Sequence, residues 1–152
     1  MTALLIVTLD GTSLALPASE VTEVIRAVAI TPVPGCPAAV EGVVNVRGAL
    51  LPVYELRRRF GLAPRAVHPD DHFVVATVAP RGSVVVRVSR ADELREIDPA
   101  LVAAATTSAD PLIRGLARLP DGLSIICDLA AFLTDLEADQ TTRAITAYRE
   151  TT

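Results

Sequence analysis

The chain has 152 residues with 18 acidic and 14 basic side chains, a formal net charge of −4. A chain of this length buries roughly 70% of its unfolded surface and folds as a single domain without staples. The acidic balance and five scattered aromatics (Tyr54, Phe60, Phe73, Phe132, Tyr148) argue against a nucleic-acid partner, which asks for a basic patch and a stacking platform. Every basic residue is Arg, which excludes a Schiff-base, P-loop or protein-kinase lysine.

Hydrophobic residues make up 51% of the chain but aromatics only 3%, so the core must be Val, Leu, Ile and Ala. The mean hydropathy of +0.43 hints at apolar surface left for partners, although an Ala/Val-rich vocabulary also raises it.

Taken in order, Leu4–Leu9 and Ser13–Leu16 flank Asp10-Gly11, a strong hairpin signal. The N-terminal apolar run lacks a basic lead, and Asp10 interrupts it, so it is not a signal peptide. No stretch approaches a membrane span, and the expected location is the cytoplasm without membrane insertion. Glu23–Ala29 reads as a strand, followed by a crossing, Pro32–Pro37, that cannot be a central strand because proline donates no ladder bond. Val43–Val46 and Ala49–Tyr54 pair around Arg47-Gly48. Glu55–Phe60 reads as a short helix ended by Gly61.

Residues 63–71 form a polar connection. Strands are predicted at Phe73–Val78, Ser83–Val88, Glu93–Ile97, Leu112–Leu119 and Leu123–Cys127. A helical tail over about 128–150 carries Leu129, Phe132, Leu133 and Leu136 at helical spacing.

The order of parts repeats. Shifted by about 73 residues, Glu20–Val24 falls on Glu93–Ile97, Gly42 on Gly115, Glu55-Leu56 on Asp128-Leu129 and Phe60 on Leu133. A small gap lays the hairpin at Gly11 on that at Gly82. The expected fold is mainly β: two similar small β-barrel subdomains sharing an interface, from halves of about 3–62 and 73–136, with short helices and a C-terminal helix. Neither half has enough apolar surface to stand alone.

Residues 42–62 read Gly-Val-Val-Asn-Val-Arg-Gly-Ala-Leu-Leu-Pro-Val-Tyr-Glu-Leu-Arg-Arg-Arg-Phe-Gly-Leu. Gly48 accepts a positive φ at the turn without steric cost. Asn45 can bridge backbone groups there, and Pro52 suits an edge position. The planar fork of Arg47 matches a carboxylate: a partner's, or a structural one from Glu23 or Glu41.

This segment resembles the CheW signature G-x-x-N-x-R-G-x-x-x-P-V-x-[DE]-L-R, and the family's order of elements continues over roughly residues 3 to 136. The resemblance implies SH3-like barrels, no catalysis and no cofactor. Its expected role is an adaptor joining chemoreceptors to a CheA-type histidine kinase. The partners would be the kinase's regulatory domain and the receptor's cytoplasmic hairpin tip, the latter in an apolar groove between the barrels. The family's contact positions fall on Val21, Glu23, Gly42, Asn45, Arg47, Phe73 and Leu94. Two departures are Ser89, where the family often has Asp, and Glu55, where Asp is commoner. The alternative is a small β-barrel regulatory module in another signalling system.

Other chemistry is thinner. His68-Pro-Asp-Asp-His72 has metal-ligand types but reads as a solvated connector, Arg57–Arg59 reads as a solvated helix face, and no G-x-S-x-G or phosphate loop exists. Cys36 and Cys127 have neither C-x-x-C nor metal spacing and are expected reduced.

Overall fold

The computed structural model describes residues 1–79, 82–104, 111–132 and 135–151. Its strands are β1 (Thr2–Leu9), β2 (Thr12–Pro17), β3 (Val21–Arg26), β4 (Val40–Val46), β5 (Ala49–Tyr54), β6 (His72–Val78), β7 (Gly82–Val88), β8 (Arg90–Ile97), β9 (Val102–Ala104), β10 (Ile113–Leu119) and β11 (Gly122–Cys127). One α-helix, α1 (Asp135–Thr151), follows, and short 3-10 turns lie at Ala18–Glu20, Arg57–Phe60, Pro99–Leu101 and Leu129–Ala131.

The strands form two sheets, in the orders β8-β1-β2-β11-β10-β9 and β3-β6-β7-β5-β4. These orders are the same once each strand of one half is replaced by its counterpart in the other, with β9 added. The halves and the sheets do not coincide, however. Each sheet takes its hairpin from one half and its remaining strands from the other, joined by the parallel pairs β2–β11 and β5–β7. This exchange of hairpins is invisible to a repeat search, which sees order along the chain and not pairing between halves.

Both hairpins are buried on two faces, and alternation decides which residue serves which core. Leu5, Val7 and Leu9 of β1 meet Val74, Ala76 and Val78 of β6 in the shared core, which also holds Tyr54, Leu56, Leu129 and Phe132. The opposite faces fill the barrels: Leu4 and Ile6 in one, Phe73 and Val75 in the other. Each such side chain contributes about 1.5–3 kcal/mol when fully buried.

Both sheets curl until their edges meet. Beyond β3 the chain leaves β6 after Ala27, whose N–H donates to the Asp71 carbonyl, and Thr31 then bridges to Val43 of β4 at the far edge. The predicted strand to Ala29 therefore ends early. Beyond β8, β9 likewise reaches β10.

The tail is two pieces. Asp128 accepts from the Ala131 N–H and caps a 3-10 turn, and α1 then lays Ala144, Ile145 and Tyr148 on Val33 and Val43. Leu133 lies outside the described residues.

Candidate partner-docking surface

Two hairpin tips have the same geometry. Asp10 and Gly11 have φ of 46° and 86°, and Arg47 and Gly48 have φ of 51° and 87°. Positive φ at both central residues is the tight turn that suits twisted strands. At the second tip Asn45 Oδ1 accepts from the Gly48 N–H at 2.8 Å, which holds a non-glycine residue, Arg47, in the left-handed region.

Arg47 then reaches across the closed barrel to β3. Its Nη1 and Nη2 donate to the two carboxylate oxygens of Glu23 at 2.7 and 2.6 Å. The Arg47 side chain remains 77% exposed, while that of Glu23 is 19% exposed. The fork is thus fixed at the surface, with further N–H donors toward solvent.

Of the other expected contact positions, Leu94 stands 69% exposed on the edge strand β8. Val21 is partly buried against the shared core, on the edge strand β3. Asn45 is exposed. The remaining two are interior. Phe73 is fully buried inside its barrel. Gly42 is buried beneath the Thr31 carbonyl, where a Cβ would sit 2.2 Å from that oxygen.

A polar network that sequence reasoning missed closes the mouth of the β3–β7 barrel. Arg87, 5% exposed, donates from Nε and Nη2 to Glu41 at 3.0 and 2.8 Å, and from Nη2 to the Arg65 carbonyl. Arg65 binds Asp71 at 2.8 Å, and Asp71 is itself buried. Desolvation raises the Glu41 pKa, and Arg87 opposes it.

The chain of charges continues to the first hairpin tip, where Arg57 binds Asp10 and the Ala63 carbonyl. The hydrogen bond from Arg57, against a smaller desolvation effect and with help from Ser89, lowers the Asp10 pKa to about 2. Ser89 accepts from the Asp10 N–H and donates to Oδ1, so an Asp at position 89 would face a carboxylate already in place.

The expected solvated reading of Arg57 is corrected here, because Arg57 is buried; in the 63–71 connection Asp71 is buried and Val67 packs on the barrel core, while His68, Pro69 and Asp70 are exposed. Within the histidine cluster, His68 Nδ1 accepts from the Asp70 N–H and Asp71 is spent on arginines. No grouping of metal-ligating side chains occurs among the described residues. No described helix is long and apolar enough to cross a membrane.

The fold is that of a paired-barrel β protein whose surface presents edge strands and one locked charged corner. Residues 3–137 match the family model of the CheW-like domain. The chain is 27% identical over 114 residues to the chemotaxis protein CheW of Helicobacter pylori, a match covering 74% of this chain and 69% of that one. It is 30% identical over 76 residues to the chemotaxis protein CheW of Treponema pallidum, covering 46% and 45%. The crystal structure of the scaffolding protein TtCheW from Thermoanaerobacter tengcongensis shares the fold, with a TM-score of 0.80, 24% identity and coverage of 90% and 94%. The chain belongs to the CheW-like family. Most of α1 lies past the matched residues.

Proposed function

We propose that this chain is a non-catalytic cytoplasmic adaptor that holds the cytoplasmic hairpin tip of a chemoreceptor and the regulatory domain of a CheA-type histidine kinase together. The observation that carries the reading is the Arg47–Glu23 corner. A guanidinium locked bidentately yet 77% exposed is pre-organised for a partner's carboxylate, so little side-chain entropy is lost on docking. Val21 and Leu94 supply apolar contacts on the edge strands, Asn45 sets the tip, and Gly42 and Phe73 hold the backbone beneath it.

Replacing Arg47 with Glu should change melting little, because an exposed pair is worth about 0.2–1 kcal/mol. Bridging of receptor and kinase should weaken at least tenfold, about 1.4 kcal/mol, since charge-assisted bonds are worth roughly 1.5–3 kcal/mol. The exchange variant Glu23→Arg/Arg47→Glu restores the pair with reversed polarity. It should melt like the wild type and stay defective in bridging, measured by calorimetry beside thermal melts. Recovery of both together would make the pair structural and remove Arg47 from the partner surface.

A further inference from the structure

The two barrels end differently. Leu4 pairs with Pro17 one step outside the core pair Leu5–Leu16, and Phe73 pairs with Arg87 one step outside Val74–Val86. Register shifts fall before Gly42 and Gly115, making Glu41 and Arg114 the extra residues of equivalent bulges. At the mouth of the β3–β7 barrel, the Phe73 ring, the Arg87–Glu41 pair and Val67 fill the space. The other barrel has Leu4, Pro17 and Arg114 at the corresponding positions. Proline and arginine cannot form that pair, and a cavity of about 350 Å³ remains, lined by Leu4, Pro17, Val102, Arg114, Gly115 and Ile126 among others.

We propose that this open barrel mouth is a docking pocket for a phenylalanine or tyrosine side chain of a partner protein. Apart from Thr2 and Arg114 the lining is apolar, and the Arg114 side chain is half exposed and lies 3.5 Å from Asp128. A guanidinium at the rim attracts the negative face of an aromatic ring and gives an aliphatic group no such gain. The molecule already makes this contact once, with Arg59 Cζ 4.7 Å from the Phe132 ring centre. With Asp128 against Arg114 and Glu20 close enough to feel its charge, the local balance disfavours an anionic occupant and suits a neutral ring. The inference adds side-chain chemistry to the adaptor reading, and its test uses no receptor or kinase, so the two can fail separately.

The full chain, labelled with ¹⁵N, should be titrated with N-acetyl-phenylalaninamide and N-acetyl-leucinamide. The aromatic amide should shift the Gly115 and Val102 amide signals saturably and bind at least threefold tighter than the aliphatic one. Arg114→Gln should erase that preference. Leu4→Phe, which supplies internally what Phe73 supplies in the other barrel, should abolish binding. Val102→Trp closes the pocket from its rim if Leu4→Phe does not fold. No saturable shift, equal binding of both amides, or binding that survives in a folded plugged variant would overturn the proposal. Shifts that follow protein concentration instead of the probe would overturn it too, by assigning the pocket to a second copy of the chain.

Discussion

A Gly42→Val variant is expected to lose about 4 kcal/mol of stability or to fail to fold. The added Cβ would lie 2.2 Å from the Thr31 oxygen and 2.8 Å from its carbon, at a φ of 154°. The neighbour is backbone, and it is the strand bridge that closes the barrel, since Thr31 and Val43 exchange both hydrogen bonds there. Relief of the clash therefore costs the bridge. Losses of this size come from a few mechanisms such as core overpacking and backbone strain, and whole domains have only about 5–15 kcal/mol to lose. Gly48→Ala is the control, because its φ of 87° carries the conformational penalty while nothing stands within 4 Å of the new Cβ. That penalty is roughly 1–2 kcal/mol. In urea unfolding, Gly42→Ala should fall well below Gly48→Ala. Equal losses would mean that close approach to Thr31 does not matter.

Arg87→Met should cost about 3–5 kcal/mol, the usual loss when one member of a buried ionic network is removed. Methionine fills much of the volume, so the loss would come from Glu41 and from the Arg65 carbonyl left without their donor. The pH dependence gives the signature. Desolvation already raises the Glu41 pKa, and Arg87 is the cation opposing it. Without Arg87 the folded-state pKa rises further above the unfolded value, so the folded state binds the proton more tightly. The variant's deficit should then be largest above the folded pKa and shrink as pH falls through it. Chemical unfolding of variant and wild type between pH 7 and 4 measures this. A deficit independent of pH would assign the loss to packing alone.

These two sites mark where reading the chain in order succeeded and where it stopped. The hairpins at Asp10-Gly11 and Arg47-Gly48, the strand Ala49–Tyr54 and the stop at Gly61 were legible, because turn residues and alternation act over a few positions. Gly42 was legible as a marked position but not for its reason, which lies in Thr31 on another segment. Arg87 looked like one residue of an apolar strand, and its partners, Glu41 and the 63–71 connection, come from elsewhere in the chain. The three-residue strand β9 carries no periodicity to detect and exists by pairing with β10. Phe73 was legible as apolar; only register shows that it faces the interior of its barrel. Arg47 remained open among a partner's carboxylate and two internal ones, Glu23 and Glu41, and of the internal two barrel closure brings Glu23 to it.

The most direct test of the adaptor account is a three-component reconstitution of wild-type protein with the regulatory domain of a CheA-type kinase and a chemoreceptor cytoplasmic hairpin, both from the same organism. The account predicts a complex in which kinase and receptor co-sediment only when this chain is present, with each partner also binding it separately. A wild-type protein that melts cooperatively yet binds neither partner would contradict it.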